Sequence, residues 1–181
     1  MIRFLSIDPS MANTALVFGY IENGILHPEG FYLSQTTKTK NKQIRASSDM
    51  IRRCRETVKL INETLEEQQP NIVFCETPSG SQNSKSAQGY GISCVYIALM
   101  NPPAIEVTPI ELKKATVGKK TASKKEMINW AAKEFPNFPF FRKKDGSIIE
   151  GKMEHVADAI GAAYAGLLTD QYKQLVGMLK D

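Results

Sequence analysis

The sequence predicts an α/β fold: a five-stranded mixed sheet flanked by helices, in a single domain over residues 1–181. Three observations carry this. The chain opens with three short apolar segments joined by tight turns. A long amphipathic helical segment then leads into a further apolar strand. A last strand is followed by a series of helices rich in small residues. An antiparallel meander followed by a β-α-β unit gives a sheet of mixed direction.

Residues 2–7 are apolar and β-rich, and Asp8-Pro9-Ser10 turns the chain away. Residues 14–21 form the second strand. Glu22-Asn23-Gly24 makes the hairpin, with Asn-Gly supplying positive φ, and residues 25–33 return as the third strand, interrupted near Pro28. A polar, lysine-rich loop covers 35–43. In the helix at 44–69, Ile51, Cys54, Val58, Ile61 and Leu65 recur at three- and four-residue steps. Pro70 ends it, and 71–75 is a short strand closed by Glu76.

After a Ser/Gly/Asn-rich loop, residues 86–100 form a helix whose small residues imply close packing against another helix. The strand at 105–108 leads into a helix begun by Pro109 and capped by Thr108. Ser123 and Glu126 form a capping box for the next helix. Residues 137–151 read as a loop, 153–168 as the final core helix, and the tail from 169 as an amphipathic helix.

The chain has 181 residues, 42% hydrophobic and 23% charged, with a net charge of +4. This is ordinary for a globular protein, and the position of the charge says more than its sum. Lys113, Lys114, Lys119, Lys120, Lys124 and Lys125 fall in one short stretch, and Arg142, Lys143, Lys144 and Lys152 follow. Such clusters attract a polyanion such as nucleic acid. Cys54, Cys75 and Cys94 are widely spaced and form no zinc-ligand pair. They are expected to be reduced thiols of a cytoplasmic protein. No apolar run approaches the roughly 18 residues of a membrane span.

Four groups stand out as candidate ligands. Asp8 and Glu76 each close an apolar strand, and His155 and Asp158, three apart, share one helix face. A carboxylate at the end of a buried strand is costly unless compensated, and a divalent cation is the usual compensation when several converge. Taken singly, Asp8 also suits a turn-fixing role, and Asp158 a helix-dipole role. Glu154 is expected on a different face from His155.

The order of these features resembles the RNase H-like nuclease fold and, within it, the RuvC family of Holliday junction resolvases. The resemblance spans nearly the whole chain. It rests on Ile7-Asp8-Pro9-Ser10 with Thr14, on Glu76 with Gln88-Gly89-Tyr90-Gly91, on Val107-Thr108-Pro109 with the stretch from Lys113 to Lys124, and on His155-Val156-Ala157-Asp158-Ala159-Ile160-Gly161. The Thr116-Val117-Gly118-Lys119 segment is the most distinctive part.

The resemblance implies that Asp8, Glu76, His155 and Asp158 are catalytic and hold two Mg²⁺ ions, with Mn²⁺ able to substitute. Water would attack the scissile phosphate in line, leaving 5′-phosphate and 3′-hydroxyl ends. Lys113, Lys119, Lys120, Lys124, Ser79 and Ser81 would contact DNA. The protein would act as a homodimer, with the 86–100 helix at its interface, making paired symmetric nicks in recombination, repair or phage genome processing. The alternative is a module of the same fold that binds branched DNA without cutting it.

The sequence departs from the family pattern after Glu76. Thr77-Pro78-Ser79-Gly80-Ser81 lacks the aromatic residue that cellular members carry there. Relaxed substrate choice follows: four-way junctions plus forks, flaps and other branched DNA, as in bacteriophage relatives acting in the cytoplasm of a bacterial host.

Overall fold

A computed structural model describes residues 1–78, 80 and 83–178. Five strands form one sheet in the order β3-β2-β1-β4-β5. They are β1 (Ile2–Asp8), β2 (Asn13–Glu22), β3 (Ile25–Gln35), β4 (Ile72–Glu76) and β5 (Ala104–Val107). The meander is antiparallel, while β4 and β5 add in parallel to β1. Six helices pack around the sheet: α1 (Ala46–Gln68), α2 (Ser84–Ala98), α3 (Pro109–Thr116), α4 (Lys124–Glu134), α5 (Glu150–Gly166) and α6 (Asp170–Met178).

The interruption expected near Pro28 is a register shift. β3 runs through, and the ladder slips between Phe18 and Gly19. Gly19 is needed there because a Cβ would overlap the backbone of His27 and Pro28. The capping boxes of Thr108 with Glu111 and of Ser123 with Glu126 are both formed. α5 starts about one turn earlier than the sequence reading places it.

Alternation along the strands sorts the core into two layers. Phe4, Val17, Phe74, Ile105 and Val107 pack under α3, α4 and α5. Leu5, Ile7, Leu16, Val73 and Cys75 pack on the other face, against Ile61 of α1 and Tyr96 of α2. α5 lies close to the sheet because its contact positions are small. A Cβ at Gly166 would overlap the Phe74 ring. Ser6 Oγ, fully buried, donates to the carbonyl of Ala159 at 2.7 Å and pins α5 across β1.

Two helices differ from expectation. The α1 side chains that are buried are mostly polar: Asp49, Arg53, Thr57, Ile61 and Thr64. Asp49, Arg53 and Thr57 find polar partners on β3 or just after it, as in the 2.8 Å Ser34–Thr57 hydroxyl bond, while Thr64 bonds the Leu60 carbonyl of its own helix. Of the expected apolar stripe, Ile61 is fully buried and Val58 and Leu65 pack against the same core layer, while Ile51 is 49% exposed. On α2, Gly89 and Gly91 face open space within the chain, so their small size serves no packing among the described residues. No helix among the described residues is long and apolar enough to cross a membrane.

Candidate active site

Strand parity builds the site. Phe4, Ser6 and Asp8 fall on the α5 face of β1, while Leu5 and Ile7 fall on the other. On β4 the same parity puts Ile72, Phe74 and Glu76 on the α5 face. The parallel register pairs Ile7 with Cys75, so the next residue on each strand, Asp8 and Glu76, stands at the same level. α5 crosses directly above and delivers His155 and Asp158 from one face.

The chain after Asp8 is firmly held. Ser93 Oγ of α2 donates to the carbonyl of Pro9 at 3.0 Å. The buried Arg53 donates to the carbonyl of Met11 at 3.1 Å and to Thr36 Oγ1 at 2.9 Å. Thr36 donates from its own hydroxyl to Met11 O and from its N–H to Ala12 O. Segments from α1, α2 and β3 therefore all fix the loop that positions Asp8.

The four groups predicted from the sequence do come together, in two halves. His155 Nδ1 lies 2.6 Å from Asp8 Oδ2. Its Nε2 lies 3.4 Å from Glu154 Oε1. Burial alone would lower the imidazole pKa, but the bond to Asp8 and the charges of Asp8, Glu154 and Asp158 outweigh it, and the net shift is upward.

Glu76 and Asp158 form no hydrogen bond or ion pair among the described residues. Burial, then the charges of Asp8 and Asp158, push Glu76 up to about 8, with Lys113 pulling the other way. Burial and the Asp8 charge push Asp158 up to about 7, opposed by His155 and Lys113. The sequence reading has these groups share one site. Among the described residues, no three His, Cys, Asp or Glu side chains close into a ready metal cluster. His155 is bonded to Asp8, while Glu76 and Asp158 bond neither to it nor to each other.

The donor set still fits a hard divalent cation. Oxygen donors suit Mg²⁺ and Mn²⁺, and imidazole is tolerated by Mn²⁺. Carboxylates raised this far by burial and mutual repulsion are also groups that a nearby cation would return to the charged state.

The basic residues divide. Lys113 is half-buried and close enough to act on both Glu76 and Asp158. Lys119 pairs with Glu126, Lys124 pairs with Glu154 at 3.0 Å, and Lys120 is exposed. Gly118 has φ of +86°, the conformation that lets the Gly-Lys turn end α3. Ser79 and Ser81 lie outside the described residues.

Glu154 was not expected here. Adjacent helical residues point about 100° apart, but its long side chain reaches back to His155 and links it to Lys124. Its position beside His155 in the sequence was the only signal.

No family model matches the chain. Two curated relatives align over nearly its full length. The crossover junction endodeoxyribonuclease RuvC of Hydrogenovibrio crunogenus is 27% identical over 177 residues, covering 96% of this chain and 90% of its own. The protein of the same name from Carboxydothermus hydrogenoformans is 27% identical over 171 residues, covering 92% and 96%. In fold, the chain is similar to T. thermophilus RuvC solved in complex with a Holliday junction substrate. That match has a TM-score of 0.66 at 17% identity and covers 91% of this chain and 92% of that one.

Proposed function

We propose that this chain, which belongs to the RuvC family, is a metal-dependent endodeoxyribonuclease that cleaves Holliday junctions and other branched DNA by paired symmetric nicks. The observation that carries this is the placing of Asp8 and Glu76 at one level of adjacent parallel strands, under His155 and Asp158. Asp8, Glu76, Asp158 and His155 would hold two Mg²⁺ ions, or Mn²⁺ in their place. Bound there, the ions would stabilise the attacking and leaving oxygens of an in-line displacement.

The chain's own groups set up the rest. The loop clamped by Arg53 and Ser93 fixes Asp8. His155 faces Asp8 at one ring nitrogen and Glu154 at the other, and would have to release one of them to ligate a metal. Lys113 offsets the buried negative charge and, with Lys119, Lys120 and Lys124, draws the phosphate backbone in. Lys119 and Lys124 would exchange their present carboxylate partners for phosphates. The nicks would leave 5′-phosphate and 3′-hydroxyl ends.

We assign a homodimer to the α1/α2 face. Met50, Ile51, Cys54 and Val58 of α1 meet Ile92 of α2 in a groove of about 560 Å³. Tyr90, Val95 and Leu99 of α2 are also exposed. A two-fold axis there would match two symmetric incisions. The protein would work in the cytoplasm of a bacterial host.

The test is a gel. A synthetic four-way junction, each strand labelled in turn, is incubated with Mg²⁺ and either the unmodified protein or Asp8→Asn. Paired symmetric nicks from the unmodified protein alone support the proposal. Binding without cleavage in every metal tried supports the non-cutting module. Comparable rates on forks and junctions support relaxed substrate choice, and strict cutting of junctions at one short sequence contradicts it.

A further inference from the structure

The segment 137–149, expected as a plain loop, contains a built hairpin. Arg142 and Ile148 form an antiparallel bridge. Lys143 N–H donates to Ser147 O at 2.7 Å, Gly146 N–H to Lys143 O at 3.0 Å, and Ile149 N–H to Phe141 O at 2.9 Å. Gly146 takes φ of +83° at the turn. Asp145 folds onto Ser147, and Arg142 Nη1 bonds the Gly146 carbonyl.

The base of the hairpin is anchored. Phe141 packs edge-on against Phe31 of β3 at 5.1 Å between centroids, and its N–H points to Met153 Sδ of α5. Lys152 lies 5.8 Å from the centre of the Phe141 ring.

Its charge is not neutralised by a carboxylate among the described residues. Arg142, Lys143 and Lys144 are exposed, and neither they nor Lys152 pair with a carboxylate among the described residues. Lys119 and Lys124, by contrast, are both engaged in ion pairs. The hairpin leads straight into α5, on the β3 side of the sheet. The lysines of α3 follow β5, at the other edge, so the acid cluster lies between two basic flanks.

We propose that residues 141–149 form a preorganised contact for the sugar-phosphate backbone of a DNA duplex arm leaving the cleavage site on the β3 side. Lys143 and Lys144 are its phosphate ligands at the tip, and Arg142 and Lys152 support them at the base. This rests on the branched-DNA reading above and adds a second contact region to it. Helical and extended rises along the chain put the tip within about 20 Å of His155. That distance is about six nucleotides along one strand. Lysines act as point charges on phosphates, so the contact is independent of sequence. The hairpin fixes the backbone that carries these cations, which reduces the entropy lost on binding.

The test uses the full chain with Lys143→Ala/Lys144→Ala, side chains that make no bond within the hairpin, and with Lys143→Arg/Lys144→Arg. Affinity for a four-way junction is measured over a salt series in EDTA, and single-turnover cleavage is measured with Mg²⁺ at saturating protein. The alanine pair should weaken binding about tenfold at low salt and flatten the log K against log salt slope by about 2. Saturated cleavage should stay within about twofold, and the arginine pair should restore affinity. Neutral methylphosphonates about six nucleotides from the cut should weaken the unmodified protein but add nothing to the alanine pair.

Unchanged affinity and slope in the alanine pair would overturn the proposal, leaving a solvated turn or a protein-docking surface. A collapse of saturated cleavage would also overturn it, by placing the hairpin in the reaction itself. Because binding is read without divalent ions, an unmodified protein that binds but never cuts would sink the nuclease reading and leave the hairpin contact standing. An unmodified protein that binds no DNA would sink the hairpin contact.

Discussion

The two halves of the acid cluster solve the same problem differently. Asp8 has its charge answered inside the protein, by His155 at 2.6 Å. Glu76 and Asp158 do not, and burial, then the charge of Asp8, pushes them up to about 8 and about 7. The same fold thus builds a paired carboxylate beside two that have no hydrogen-bond or ion-pair partner among the described residues. On the proposed nuclease reading, the second half is where a cation has most to compensate.

The largest expected effect separates the halves most sharply. Glu76→Gln or Asp158→Asn should cut nicking about a thousandfold, equivalent to about 4 kcal/mol of lost transition-state stabilisation. The metal-free protein should nonetheless melt about 2–4 °C higher, for relief of about 1 kcal/mol. Asp8→Asn should lose as much activity without that gain, because His155 loses its charged acceptor. Equal stabilisation by all three variants, measured by calorimetric melting, would erase the distinction.

Arg53→Ala tests the support beneath the paired half. It removes charged donors from the carbonyls of Met11 and Thr36. Denaturant unfolding should show a loss of about 2–3 kcal/mol. The nicking rate should fall more than substrate affinity does.

The unpaired half should also show in the pH dependence of stability. Folded Glu76 and Asp158 hold protons that the unfolded chain releases near pH 4. Their contribution is full below about pH 4 and is lost as pH rises through about 7–8. His155, also shifted upward, acts in the same direction. Without divalent ions the melting temperature should fall by roughly 5 °C between pH 5 and pH 8.5, and Mg²⁺ should flatten the curve. The smallest effect belongs to the exposed Lys124–Glu154 pair: Lys124→Ala should change stability by less than about 0.5 kcal/mol.

Much of this was legible in the sequence. Asp8 and Glu76 end apolar strands, and period-two alternation is enough to put both on one face. Thr108 and Ser123 announced their caps because capping chemistry is local. What was hidden depends on tertiary partners. The polar side chains of Asp49, Arg53 and Thr57 are buried only because Thr36, Thr39 and Ser34 wait at the β3 edge. Apolar spacing in α1 marked Ile61, Val58 and Leu65, which do pack on the core, but not the polar side chains beside them. The hairpin at 141–149 was missed because its register is set by backbone bonds and by Phe141 docking on Phe31. Glu154 joined the site through side-chain length, which helical spacing does not encode.

The most direct measurement is calorimetric titration of the unmodified protein with Mn²⁺ at pH 8, beside Glu76→Gln and Asp158→Asn. Saturable binding to the unmodified protein, with proton release, that is lost in both variants is the predicted result. Absence of binding to the unmodified protein, or undiminished binding to both variants, would contradict a metal site built on the unpaired carboxylates.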